Sequence, residues 1–343
     1  MEAWLTREWQ RTSPWQILLR PVSWLYRLLI AIRRLAFRTG FLKSHAIGVP
    51  VIIVGNVTVG GTGKTPLVLA LVEALTKRDL HCGIVTRGYL RGAEAIAANV
   101  IHVVPANGQH PVSGDEATLL ARRSGVPVYA GADRVEVART LRRSHPEVDV
   151  IIGDDGLQHY ALRRDIEICV VDSARGMGNG ELLPAGPMRE PAARINAVSA
   201  VVFNGKGGHA AHNIAAIPTF EMVLANELFI NLKTDQCIDA RTALDVFHGR
   251  RLHALAGTGH PQRFFSHLAG LGFAPSVTQP FPDHHRYRAI DMPGPGADII
   301  LMTEKDAVKC GSFADERMWF MRIDAVLPDG LIDFVINKLR ACV

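Results

Sequence analysis

Short runs rich in Val and Ile alternate with longer stretches of helical period through the first two thirds of the chain. Pro50-Val51-Ile52-Ile53-Val54-Gly55 is a β-branched run of the kind that fills a parallel strand buried on both faces. Further strands are predicted at residues 82–87, 101–104, 126–129, 148–153, 166–172 and 197–204, and helices at 65–78, 115–123 and 132–145. Alternation of β and α over this length predicts an α/β fold with a mostly parallel, doubly wound sheet. Residues 205–215 are small and polar and read as a linker. Beyond them, strands at 252–257, 298–302 and 319–323 and helices at 262–269 and 331–340 predict a smaller C-terminal α/β domain. The expected organisation is an N-terminal segment (1–45), a main domain (46–205) and a smaller domain (206–343), with the site in the cleft between the last two.

The N-terminal segment departs from this pattern. After Pro21, residues 22–38 read as a helix with Arg27, Arg34 and Arg38 on one side and Leu25, Leu29, Ile32 and Ala36 opposite. Trp4, Trp9, Trp15 and Trp24 cluster here. Residues 1–48 hold eight basic side chains against Glu2 and Glu8, a net +6, so the remainder of this +5 chain is close to neutral. The basic charge is therefore local, which argues against a nucleic-acid-binding globule. Uncharged stretches in this segment never exceed eight residues, too short to cross a bilayer. An apolar face, a basic face and clustered Trp predict a helix lying in a membrane interface, against the alternative of a helix packed on the protein's own core. The five scattered cysteines form no CxxC pair, which indicates neither a disulfide framework nor a zinc ribbon and fits a reducing compartment.

The predicted strand at 50–55 leads into Thr58-Val59-Gly60-Gly61-Thr62-Gly63-Lys64-Thr65, and a helix is expected to follow with Pro66 in its first turn. Strand, glycine loop and helix in that order make a P-loop, so the domain is expected to be of the P-loop NTPase type. Glycines let consecutive backbone N–H groups turn toward phosphate oxygens at a helix N-terminus. Lys64 would reach the β- and γ-phosphates of ATP and Thr65 would hold Mg²⁺. The strict motif wants Gly where Thr58 stands. The apolar strand at 148–153 ends in Asp154-Asp155, carboxylates placed to hold Mg²⁺ at a strand's carboxyl edge.

Phe281-Pro282-Asp283-His284-His285 gathers acid and imidazole in one loop, with no second His/Cys pair close by to make a zinc site. Thr303-Glu304-Lys305-Asp306 departs from the guanine-reading N-K-x-D, with Glu304 where that motif has Lys. Two other readings follow from the same residues. One is a P-loop ATPase or GTPase switch acting on partner proteins at the membrane, which Val59 disfavours because dimerising switches carry a lysine early in the loop. The other is a non-catalytic membrane scaffold, which leaves the paired aspartates without a purpose.

The glycine loop with Gly55-Asn56-Val57 before it, Arg87-Gly88-Tyr89, Gly114-Asp115-Glu116, Asp154-Asp155-Gly156-Leu157-Gln158-His159, Gly186-Pro187-Met188-Arg189-Glu190-Pro191, Pro282-Asp283-His284-His285 and Thr303-Glu304-Lys305-Asp306 occur in an order that closely resembles the tetraacyldisaccharide 4'-kinase (lipid A 4'-kinase) family. The likeness covers most of the chain, and Thr58 belongs to that family's version of the loop. It implies ATP- and Mg²⁺-dependent phosphorylation of the 4'-hydroxyl of a lipid A disaccharide precursor at the cytoplasmic face of the bacterial inner membrane. It further implies Asp115 nearest the acceptor hydroxyl, assisted by His284 or His285 with a slight preference for His285. Asp154 and Asp155 would hold or orient the metal. His159, Arg134, Arg189 and Glu190 would be further cleft residues.

Overall fold

The structure, a computed structural model, describes residues 8–9, 14–88, 100–104, 114–207 and 217–342. Trp4, Tyr89 and most of the expected linker at 205–215 lie outside the described residues. The first part of the chain runs α1 (Pro14–Arg38), β1 (Val51–Gly55), α2 (Lys64–Thr76), β2 (Cys82–Thr86), β3 (Val100–His102), α3 (Asp115–Ser124), β4 (Val128–Gly131), α4 (Arg134–Ser144), β5 (Val150–Asp154), β6 (Ile166–Asp172) and β7 (Ala200–Asn204). The second part runs β8 (Thr219–Asn231), β9 (Cys237–Asp239), α5 (Ala240–Val246), β10 (Leu252–Ala256), α6 (Pro261–Gly270), β11 (Val277–Pro280), β12 (Ile299–Thr303), α7 (Glu304–Ala307), β13 (Met318–Val326) and α8 (Asp329–Arg340).

One sheet carries both parts, in the order β11-β10-β12-β13-β8-β7-β6-β1-β5-β2-β4-β3 with β9 on β8. β1 pairs in parallel with β5 and β6, and every residue of β1 and β5 is buried, as their unbroken apolar sequence requires. Among the described strands only β3, β9 and the β8–β13 pair run antiparallel to a neighbour. Aliphatic side chains of α2 and α3 fill one face of the first half-sheet, and Val135, Val137 and Leu141 of α4 fill the other.

β8 is the longest element that the hydrophobic pattern does not predict. Its residues are mostly half-buried and show no clean alternation. The cause is its position between two lobes. Its first residues pair in parallel with β7, and Val223 to Asn231 pair antiparallel with β13. α8 then returns to the first lobe, where Leu331, Ile332, Val335 and Leu339 join the core around Leu67 and Leu71. The second lobe has its own aromatic core of Phe229, Phe247, Phe273 and Trp319.

α1 begins at Pro14 and continues through Pro21, a turn and more earlier than the pattern predicts. Its docking is inverted relative to an ordinary surface helix. The side chains it buries are polar: Ser23 donates to Leu182 O at 3.0 Å and accepts from Ala185 N–H, and Gln16 donates to Glu8 O. Arg20 pairs with Glu181 at 3.2 Å. Trp15, Leu18, Trp24 and Leu28 are meanwhile between 55% and 69% exposed. No helix among the described residues is long and apolar enough to cross a membrane.

Candidate active site

The loop from Val59 to Thr65 leaves β1 and enters α2 at the carboxyl edge of the parallel strands, lining a cavity of about 1520 Å³. Gly63 has φ +95°, and a Cβ there would come within 2.5 Å of Asn204 Nδ2 and 2.8 Å of Met222 Cε, so both conformation and space demand glycine. Asn204 in turn donates to Thr62 O at 3.1 Å and fixes the loop from β7. Thr58 is buried behind the loop in a bridge with Met188, and the Val59 N–H is taken by Pro187 O at 2.8 Å. The backbone available to an anion therefore begins at Gly60.

Lys64 stands 3.5 Å from Asp155 Oδ1, and Arg189 Nη1 reaches both oxygens of Asp155 at 2.9 Å. Burial raises the Asp155 pKa, but Lys64 and Arg189 outweigh it and hold the carboxyl below its usual range. Asp154 differs. It is 2% exposed, and its Oδ1 has no hydrogen-bond partner among the described residues. Burial first, then Glu116 and Asp155, push its pKa up to about 7, against the pull of Lys64 and Arg134. A buried, underserved carboxylate beside Thr65 fits an Mg²⁺ ion, which needs only one or two protein oxygens when a phosphate supplies the rest.

The opposite wall is assembled from both lobes. Asp115 opens α3 of the first lobe, where a helix N-terminus favours a carboxylate. His284 Nδ1, from the loop after β11, lies 3.1 Å from Asp115 Oδ2. Lys309 Nζ, fully buried, lies 3.4 Å from the same oxygen and 3.1 Å from Asp306 Oδ1. Asp306 is itself held by the Gly257 N–H at 2.9 Å and the Thr303 hydroxyl at 2.6 Å. Burial raises the Asp115 pKa, but the His284 hydrogen bond and the Lys309 and Lys305 ammoniums overcome it, and the net direction is downward. The rest of α3 is docked the same way: Glu116 meets Lys305 at 3.4 Å, and Arg123 pairs with Glu304 at 3.1 Å and with Asp324.

Lys64, Thr65, Asp154, Asp155, His159, Arg189, Glu190 and His284 all line the one cavity, with Asp115 directly behind His284. His285 is placed elsewhere. It stacks on Phe281 with centroids 4.5 Å apart and meets Asp291 at 3.3 Å, so of the two adjacent imidazoles His284 is the one on Asp115. Glu190 is tied to Gln158 at 3.0 Å, to Tyr160 and to Arg194. Arg134 is buried and bonded to Gly131 O, and its Nε and Nη2 have no hydrogen-bond partner among the described residues. Lys309 escaped the sequence reading. Its one signal is its spacing from Asp306 and Lys305, which puts a cation on the same short helical turn.

A glycine loop opening a helix at the carboxyl edge of a parallel sheet, beside a strand ending in acid, defines a P-loop nucleotide-binding fold with a second lobe over its site. The family model described as LpxK, tetraacyldisaccharide-1-P 4'-kinase, matches residues 15–340, and the chain belongs to that family. It is 47% identical over 336 residues to a tetraacyldisaccharide 4'-kinase of Methylobacillus flagellatus, covering 98% of this chain and 96% of that protein. It is 45% identical over 340 residues to the one from Dechloromonas aromatica, covering 98% and 97%. The crystal structure of LpxK from Aquifex aeolicus in complex with ATP matches with a TM-score of 0.78 at 28% identity, covering 94% of this chain and 99% of that one.

Proposed function

We propose that the protein transfers the γ-phosphoryl group of ATP to the 4'-hydroxyl of a tetraacylated disaccharide 1-phosphate, giving the 4'-phosphorylated lipid A precursor. The observation that carries this reading is His284, backed by Asp115, lining one cavity with Lys64 and the glycine loop. Phosphoryl transfer needs positioning and charge neutralisation more than covalent chemistry. Backbone N–H groups from Gly60 onward and the Lys64 ammonium receive the β- and γ-phosphate oxygens. Asp155, itself held by Arg189, keeps Lys64 in place until they arrive. Thr65 and Asp154 would hold Mg²⁺, which neutralises phosphate charge when bound. Asp155 serves less well as a ligand because Lys64 and Arg189 already satisfy it.

On the acceptor side, an ionised Asp115 keeps the hydrogen of His284 on Nδ1 and leaves Nε2 able to take a proton. As the 4'-oxygen bonds to the γ-phosphorus, the β–γ bridging bond breaks. The hydroxyl proton passes to the Asp115–His284 pair, and ADP leaves.

In this reading the reaction takes place at the cytoplasmic face of the inner membrane, and α1 lies in the lipid interface. The inverted docking of α1 supports this: a helix packed on its own core would not bury Gln16 and Ser23 while exposing Trp15, Leu18, Trp24 and Leu28. Incubation with γ-labelled ATP, Mg²⁺ and tetraacyldisaccharide 1-phosphate in detergent micelles tests the whole reading. Label is expected in the lipid. Continued ATP hydrolysis with no labelled lipid would refute it.

A further inference from the structure

Asp172 ends β6 beside the glycine loop and is 2% exposed. Its Oδ1 accepts from the backbone N–H groups of Ala174 at 3.0 Å and Arg175 at 3.3 Å, and the Gly176 N–H returns to Asp172 O at 2.8 Å. A carboxylate that takes the backbone two and three residues further on fixes a tight turn. Ser173 ties the turn to the end of β7, its N–H to Asn204 O at 3.0 Å and its hydroxyl to Gly205 O at 2.8 Å. The turn brings Arg175 to the first residue of the anion-binding stretch. A Cβ on Gly60 would come within 2.9 Å of Arg175 Nη1 and 3.4 Å of Nη2, so the end of the guanidinium lies on the loop's own backbone. Arg175 lines the same cavity as Gly60, Gly61 and Lys64.

Asp172 is the acid close to this guanidinium, but its oxygens are engaged elsewhere. Oδ1 is spent on the turn, and Oδ2 takes Arg263 Nη1 of the second lobe at 2.7 Å. Arg175 Nη1 is buried with no hydrogen-bond partner among the described residues. Burial lowers the Arg175 pKa, Asp172 opposes this only in part, and Arg263 adds to the lowering. The group nonetheless stays a cation at neutral pH. A cation taken from water and incompletely paired is stabilised by an incoming anion. Behind the loop, a space of about 10 Å³ lined by Arg175, Thr62 and Pro187 admits one water at most. A larger anion can meet Arg175 only from the main cavity, where the loop receives phosphate.

We propose that Arg175 is a catalytic arginine supplied in cis, which binds the oxygens of the γ-phosphoryl group as it transfers, from the Gly60 end of the glycine loop. This deepens the kinase reading and rests on it. As the 4'-oxygen bonds to the γ-phosphorus, the bridging bond breaks and its electron pair stays on the β-phosphate of ADP, while the hydroxyl proton goes to the Asp115–His284 pair. Negative charge therefore shifts toward the β-phosphate and spreads over the oxygens of the moving group. Lys64 meets that charge as a point cation, whereas the Arg175 fork can span two oxygens at once. The Asp172 turn fixes the guanidinium before ATP arrives, so it stabilises the developing charge without reorganisation.

The test uses the full chain in mixed micelles and compares the wild type with Arg175→Gln and Arg175→Lys. Three quantities are measured: the single-turnover rate of phosphoryl transfer, the Kd for ATP, and the Kd for ADP with aluminium fluoride, a mimic of the transferring group. Arg175→Gln should lower the rate by about 10²- to 10³-fold and weaken the aluminium fluoride complex by about tenfold or more. Its Kd for ATP should stay within about threefold of the wild type, which also shows that the variant is folded. Arg175→Lys should restore part of both losses. A fall in ATP affinity as large as the fall in rate would make Arg175 a support of the loop and overturn the proposal. So would a rate within about threefold of the wild type, or an aluminium fluoride complex as tight as before. A wild type that hydrolyses ATP but labels no lipid would refute the kinase reading, and with it the transfer role given to Arg175, even if the aluminium fluoride complex still depended on that residue.

Discussion

The glycine loop presents its phosphate-facing groups from one unbroken stretch, Gly60 to Thr65, whereas the acceptor wall is joined from Asp115 in one lobe and His284 and Lys309 in the other. Asp115 and His284 are 169 residues apart in sequence. The loop is shaped by bonds within its own lobe, such as Asn204 to Thr62. The Asp115 carboxylate has its imidazole and its buried ammonium only while the lobes are in register. α3 secures that register along its length, through Asp115, Glu116 and Arg123. In the proposed mechanism nucleotide capture is thus a local property, and acceptor activation a property of the assembled pair of lobes.

The sharpest way to break this contrast is at the two ends separately. Lys64→Ala should cut turnover by about 10³-fold or more, by removing charge stabilisation that develops with the transferring phosphoryl group. Steady-state labelling of the lipid measures it, and a loss below tenfold would remove Lys64 from the account. His284→Ala should cost about 10²-fold in kcat with KM for ATP little changed, while His285→Ala, which disturbs only the Phe281 and Asp291 contacts, should be far milder. A reversed order would move the proton-handling role to His285.

A smaller effect probes the link between lobes. Lys309 is one of the cations holding the Asp115 pKa down against burial, so Lys309→Met should raise that pKa. In the proposed mechanism Asp115 acts as the anion above its pKa, and the acid limb of the pH–rate profile should therefore move to higher pH. The other groups facing Asp115, namely His284 and Lys305, remain to keep part of the effect. A general packing defect would lower the rate at every pH without moving the limb. Smallest of all, Trp24→Ser with Leu28→Ser should weaken partitioning onto anionic vesicles by about tenfold, since each exposed side chain buries apolar area in the interface. Unchanged partitioning would leave α1 a purely structural helix.

What could be read from the sequence follows the same division. β1, β5 and the loop between β1 and α2 were legible because unbroken apolar runs and a glycine motif are contiguous signals. The pairing of Asp115 with His284 rather than His285 was not, because adjacent imidazoles separate only when the loop's backbone is fixed. His284 takes φ +61°, and that one left-handed residue sends the two rings apart. Lys309 was invisible for a related reason: a buried lysine looks like a surface lysine until the acids around it are placed. β8 escaped because a strand shared by two lobes loses the alternation that marks a strand. In α1 the apolar and basic faces were evident, but its inward side was not, since nothing in the pattern says that Ser23 and Gln16 would be the buried residues.

Asp115→Asn offers the most direct test of acceptor activation by the joined lobes. Its ATP dissociation constant and its single-turnover rate of phosphoryl transfer to the tetraacyldisaccharide 1-phosphate would be measured in parallel across pH. The structure predicts ATP affinity within about twofold of wild type, a transfer rate lower by about 10²- to 10⁴-fold, and the loss of the acid limb that Asp115 imposes. A matching fall in ATP affinity, or an acid limb that persists unchanged, would contradict it.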